Sequence, residues 1–194
     1  MKTTETESIN TYTKDLDLMP LSQMADVMAE ESIKAATCVK YALPSIKKTI
    51  LQVEKVYLQG GHIFFTGAGT AGRMGILEAV ECPPTFSVPY NLFNGLLAGG
   101  KKAIWHSIEG AEDDAKEGAK DFLQKATKKD MLIAITASGT TPYALGALEA
   151  GKKLGVPTVL ISNNKTAITK DADIFIYLPS GPEVITGSTR LKAG

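Results

Sequence analysis

Two stretches of this 194-residue chain concentrate residue types suited to holding a phosphate. The first is Gly67-Ala68-Gly69-Thr70-Ala71-Gly72-Arg73, placed between a short apolar run and a helical pattern. Glycine lets the backbone approach a ligand closely and adopt positive φ. The N-terminus of a following helix offers N–H groups and partial positive charge to an anion, and Thr70 adds a hydroxyl. The spacing of Gly67, Gly69 and Gly72 also fits the G-x-G-x-x-G of dinucleotide-binding folds. That reading wants an acidic residue about 20 positions further on to hold a ribose, and Val88 to Leu97 contains none. The second stretch is Thr136-Ala137-Ser138-Gly139-Thr140-Thr141-Pro142. Thr141 suits a helix N-cap and Pro142 a first helical position. The hydroxyls of Thr136, Ser138, Thr140 and Thr141 exceed what a cap requires. A tight strand-to-helix turn and a well-capped helix start would each account for one loop. Two such loops, each following a strand, mark the edge where open α/β sheets bind ligands.

Two acids could do chemistry beside such a phosphate. Glu81 stands just before Cys82-Pro83-Pro84, where the prolines predict the end of a helix. A carboxylate near a helix C-terminus is disfavoured by the macrodipole, which invites a chemical explanation. Glu112 lies in Glu109-Gly110-Ala111-Glu112-Asp113-Asp114. That run also reads as acids stabilising a helix N-terminus. A pair made of Glu81 and Glu112 could divide acid and base work, provided their surroundings separate the two pKa values. His62 and His106 lack metal-ligand neighbours, so no metal site is expected. Cys82 reads as a packing residue. Arg190 and Lys192 suit a phosphate or a solvated tail.

These residues need a scaffold, and the apolar patterning supplies one. Ile63 to Phe65, Met131 to Thr136, Thr158 to Ser162 and Ile174 to Leu178 read as buried strands. Helical stretches fall near 72–80, 113–126 and 142–154. Strands alternating with helices predict a parallel sheet covered on both faces. Ahead of it, Leu21, Met24, Ala25 and Met28 fall on one helix face. Pro44 suits the first turn of a second helix, with Ile46, Ile50, Val53 and Tyr57 as its apolar face and Gly60-Gly61 as its end. Residues up to Leu18 read as a flexible arm. Cys82 to Lys102, rich in Pro, Gly and Asn, reads mostly as loop. The division expected is an arm and N-terminal helix over 1–42 and an α/β domain over 43–194.

Composition narrows the partners. Lys plus Arg and Asp plus Glu both total 21, and hydrophobic residues make up 44%. Without clustered positive charge, neither nucleic acid nor an anionic membrane is an expected partner. Two cysteines, Cys38 and Cys82, suit a reducing cytoplasm. No apolar run approaches the roughly 20 residues of a transmembrane helix, and the first 17 residues lack the apolar core of a signal peptide.

With these residues in place, the chain resembles the N-acetylmuramic acid 6-phosphate etherases. These belong to the sugar isomerase (SIS) domain superfamily and are related to the glucokinase regulatory protein. The resemblance rests on Gly67 to Arg73, Glu81-Cys82-Pro83-Pro84-Thr85-Phe86, Gly95 to Gly100, Glu109 to Asp113, Ala137 to Gly139 with Thr141 to Tyr143, and Glu183 to Gly194. It implies a SIS-type three-layer α/β sandwich, a parallel sheet with helices on both faces, plus the helical N-terminal extension. It implies cleavage of the D-lactyl ether of N-acetylmuramic acid 6-phosphate to N-acetylglucosamine 6-phosphate and D-lactate, with no metal or organic cofactor. A base removes the C2 proton of the ring-opened sugar, lactate leaves C3, and water adds. By resemblance Glu81 is the acid and Glu112 the base. The phosphate-binding set is Gly67, Gly69, Thr70, Ala71, Gly72, Arg73, Ser138, Gly139, Thr140 and Thr141, joined by Ser188 and Lys192. A homodimer working in peptidoglycan recycling in the cytoplasm is implied as well. Two positions depart from the family pattern: Ala71 replaces a phosphate-binding Ser, and Thr140 an Arg. Family members also carry a further helical region beyond the position of Gly194, absent from this chain. A non-catalytic sugar-phosphate-binding regulatory domain and a sugar-phosphate isomerase are the alternatives.

Overall fold

Helix α1 (Leu21–Leu58) carries its buried residues at Glu31, Cys38, Ala42, Thr49 and Val56, intervals of seven or four that keep them on one face, and Ala42 and Val56 pack on the strands. The computed structural model describes residues 5–165, 167 and 170–193, so Gly194 and the first four residues of the arm lie outside it. Pro44 does not open a second helix; α1 runs through it without a break. The N–H that Pro44 lacks would have met the carbonyl of Lys40, and both residues are exposed, so water can serve that carbonyl. The expected division at 42/43 therefore falls inside one helix. Ile46 and Val53 pack on the core as expected, while Leu21, Met28, Ile50 and Tyr57 are exposed.

Five parallel strands follow: β1 (Ile63–Gly67), β2 (Phe93–Leu97), β3 (Met131–Ile135), β4 (Thr158–Ser162) and β5 (Ile174–Tyr177), in the order β2-β1-β3-β4-β5. The helices are α2 (Gly69–Phe86), the single-turn α3 (Lys102–Trp105), α4 (Ala115–Leu123) and α5 (Pro142–Leu154). Strand alternation separates two cores. Ile63, Met131, Ile133, Val159 and Ile176 face the α1 side with Ala42 and Val56. Phe64, Leu132 and Leu96 face the α4–α5 side with Phe122, Ala147 and Ala150. The result is the three-layer sandwich expected. Among the described residues no helix is long and apolar enough to cross a membrane.

Two expectations are corrected. The stretch from 82 to 102 is not mostly loop, since β2 lies within it and pairs with β1 at Phe65↔Gly95 and Gly67↔Leu97. Gly95 breaks the apolar pattern because a Cβ there would lie 2.6 Å from Ile76 Cδ1 of α2. The arm is not loose either. The Tyr177 hydroxyl donates to the Glu5 carboxylate, Asn164 Nδ2 donates to Thr6 Oγ1 at 3.1 Å, and Thr13 Oγ1 donates to the Val184 carbonyl at 2.7 Å. Thr6, Asn10 and Thr13 are buried.

Candidate active site

The chain leaves β1 toward β2 on one side and leaves β3 toward β4 on the other. Between the C-terminal ends of these neighbouring strands the connections diverge, which opens a crevice at the switch point of the sheet. A cavity of about 300 Å³ occupies it. Ala68, Gly69, Thr70 and Ala71 form one wall, and Thr136, Ala137, Ser138, Thr141 and Pro142 another. The N-termini of α2 and α5 therefore both reach the cavity, and each brings partial positive charge. Gly187, Ser188, Thr189 and Arg190 line a third side, with Glu112 and Asp113 at the rim.

The second loop is a cross-linked hydroxyl cup. Thr136 Oγ1 lies 2.8 Å from Thr141 Oγ1 and 3.3 Å from Ser138 Oγ. The amide of Gly139 donates to Thr136 Oγ1, and that of Thr140 to Ser138 Oγ, both at 3.2 Å. Thr141 occupies the N-cap position of α5 but its side chain makes no capping bond; it belongs to the cup instead. Hydroxyl protons can rotate toward an incoming anion, so the cup is preorganised and adaptable together.

The run at 109–114 divides its labour. Asp114 caps α4, accepting from the Glu117 amide at 2.9 Å. Gly110, at φ 73°, starts a separate 3-10 turn over Ala111–Asp113, which holds exposed Glu112 away from the cap and at the cavity. A second cavity of about 220 Å³, lined partly by Arg73, Ala98, Ser107 and Glu109, shares Ala68, Gly69 and Glu112 with the first. Glu112 thus stands at their junction.

Other expected site residues lie elsewhere. The prolines do not end α2 at Glu81; the helix continues to Phe86. Glu81 is exposed and lines neither cavity. Twelve residues past Gly69, it lies about 18 Å along the helix axis from the loop. Glu81 and Glu112 do not meet within one chain. Gly67 and Gly72 are packing glycines, since a Cβ on Gly72 would lie 2.4 Å from the Gly67 carbonyl oxygen and 2.5 Å from Leu97 Cδ1. Arg73 does not face the larger cavity; its guanidinium is bonded to backbone carbonyls. Gly139 and Thr140 shape the cup without lining the cavity. Lys192 is buried, and its ammonium pairs with Glu31 of α1. Sequence reasoning missed Glu7, which the arm brings to the cavity, because a polar N-terminal stretch carries no periodic signal. Among the described residues no cluster of His, Cys, Asp or Glu could hold a metal ion.

Ala71 lines the cavity where a hydroxyl could reach an anion. Ala71→Ser is expected to tighten inorganic phosphate binding by ~10- to 100-fold, the worth of one hydrogen bond to a charged group. Titration calorimetry measures it, and unchanged affinity would place position 71 outside the anion's reach.

A parallel sheet with its ligand crevice between β1 and β3, walled by two hydroxyl- and glycine-bearing helix starts, defines the class. Residues 45–152 match the model of the glucokinase regulatory protein N-terminal SIS domain, and the chain belongs to this family of SIS domains. Its curated relatives are more particular. An N-acetylmuramic acid 6-phosphate etherase from Francisella tularensis subsp. tularensis is 48% identical over 97% of this chain and 65% of its own length. One from Oenococcus oeni is 44% identical over 97% of this chain and 64% of its own. The chain thus spans just under two thirds of these relatives. Among solved structures, a phosphoheptose isomerase from Neisseria gonorrhoeae superposes with a TM-score of 0.65 at 14% identity, covering 82% of this chain and 86% of that one. The Vibrio vulnificus NanR protein complexed with ManNAc-6P gives 0.59 at 16%, covering 94% and 60%. These two share the fold.

Proposed function

We propose that the crevice holds the phosphate of N-acetylmuramic acid 6-phosphate and that the chain is the SIS domain of an etherase acting on it. The observation that carries this is the convergence of both loops and Glu112 on one cavity. The phosphate sits against the Gly69–Ala71 backbone and the cup of Ser138 and Thr141, with Ser188 opposite. Glu112 removes the C2 proton of the open-chain aldehyde. The electron pair forms the C2–C3 double bond as the C3–O bond breaks, and Glu81 gives the departing lactate its proton. Water then adds at C3 and returns a proton at C2, leaving N-acetylglucosamine 6-phosphate and D-lactate in balance.

Glu81 reaches this chemistry from a second copy of the chain. Met74 and Leu77, both exposed, lie seven and four residues before Glu81 and share its helix face. That face suits an apolar contact with a homodimer partner. The setting we propose is cytoplasmic peptidoglycan recycling. The test is lactate release, first by the wild type and then by a mixture of Glu81→Ala and Glu112→Ala. Each variant alone is inactive, and reassorted dimers regain activity. A wild type that is dimeric yet releases no lactate would sink the etherase reading. Recovery absent on mixing would place Glu81 outside the partner's site.

The missing hydroxyl at Ala71 favours one second reading, a sugar-phosphate-binding regulatory domain. It predicts saturable binding of the phosphosugar without turnover. Aldose–ketose interconversion without lactate would instead mark an isomerase.

A further inference from the structure

Arg73 is spent on the backbone of the stretch that carries Glu112. Its Nε donates to the carbonyls of Ala103 at 3.0 Å and Ile104 at 3.2 Å, and its Nη2 to that of His106 at 3.3 Å. These carbonyls lie at the end of α3, where a helix leaves acceptors without partners of its own. Beyond them, residues 105–110 are all exposed, so little apolar burial holds the path from α3 to the 3-10 turn at Ala111–Asp113. Arg73 itself is fixed, one turn inside α2, just after the Gly69–Ala71 wall of the cavity. One rigid helix therefore presents the anion loop with its first residues and grips the Glu112 stretch with its fifth.

We infer that Arg73 is a positioning residue, setting the distance between the phosphate and the base at Glu112 without touching either. The planar guanidinium suits this, because it donates in several fixed directions at once to carbonyls diverging from a helix end. A lysine could satisfy one or two of them in a less fixed geometry. The kinetic part of this inference rests on the etherase reading; the structural part does not.

The experiment compares wild type, R73A and R73K in three measurements. Hydrogen exchange across residues 103–112 is expected to quicken in R73A and to return part of the way in R73K. The Kd of inorganic phosphate is expected to stay within ~threefold, since the anion loops are untouched. Lactate turnover is expected to fall by ~10- to 100-fold in R73A, the consequence of misplacing a reacting group by about an ångström, with partial rescue in R73K. Unchanged exchange over 103–112 overturns the inference. So does a loss of phosphate affinity as large as the loss of turnover, which would make Arg73 a ligand contact. A wild type without lactate release defeats the etherase reading alone, because exchange and phosphate affinity still decide the role of Arg73. If R73A does not fold, R73K and R73Q carry the same comparison.

Discussion

Glu112→Gln is expected to lower lactate release by ~10²- to 10⁴-fold, the contribution of a positioned general base, while phosphate affinity stays near that of the wild type. Glutamine keeps the size and polarity of glutamate, so the 3-10 turn at Ala111–Asp113 has no reason to move. The Glu112 carboxylate also carries none of the helix capping, which belongs to Asp114. Stability should therefore be unchanged, and a fall in turnover reads as lost chemistry. Single-turnover kinetics with the 6-phosphate sugar, alongside phosphate titration, separates the two quantities. Retention of full turnover would remove Glu112 from the reaction.

The second large effect is on stability. Glu31 is buried on α1 and accepts from Lys192, Lys34 and Asn10. Burial alone would raise its pKa. The hydrogen bonds from Lys192, Lys34 and Asn10 outweigh that, with the charge of Lys192 adding to them, and hold it near about 2 instead of 4.5. The folded state thus favours the carboxylate, and the unfolded chain takes up the proton first as pH falls. This contribution is full above the ordinary glutamate range near pH 4.5 and is lost as pH drops toward about 2. Glu31→Gln removes the charge and leaves Lys192 buried without its partner, a change expected to cost ~3–5 kcal/mol. Denaturant unfolding at neutral pH measures it. The double variant Glu31→Gln with Lys192→Met should recover much of the loss, because it removes the orphaned ammonium as well. A double variant no more stable than Glu31→Gln alone would show that Lys192 is not the source of the cost.

The sequence made the central strands legible because β1, β3, β4 and β5 are short apolar runs bounded by turn residues, a signal that depends only on neighbours along the chain. Helix α5 was legible to the residue, with Pro142 opening it and Gly155 at φ 82° closing it. What escaped depended on neighbours in space. β2 hides because Gly95 must pass under Ile76. Pro44 misleads because an exposed helix turn can lend a freed carbonyl to water, while Pro83, which is buried, and Pro84 sit within the last turn of α2. In the site, the two loops and Glu112 were legible by type and spacing, but their roles were not all separable. Glycines that pack helix on strand, such as Gly72, look the same in sequence as glycines that face a ligand. Lys192 and Arg73 read as anion partners because a cation beside glycines and hydroxyls gives no sign that its partner is Glu31 in one case and three carbonyls in the other. Glu81 shows a different limit, since the motif around it gives its residue type but not its distance from the cavity, and the unbroken helix α2 carries it away from the anion loops.

The clamp at Glu31 also bears on the order in which the molecule is built. Glu31 and Lys192 are 161 positions apart, and the Lys192 and Ala193 amides donate to buried Glu183 beside them. Contacts of such separation close late, after local helices and strand pairs have formed. The sheet and both anion loops can therefore assemble on a nascent chain while Asn10 and Glu31 still wait in water. The wall carrying Ser188 and Arg190 is set only when residues 183–193 arrive. A ribosome-bound intermediate still lacking residues 183–193 would hold the hydroxyl cup with one side open, so the crevice becomes selective only once that segment is in place.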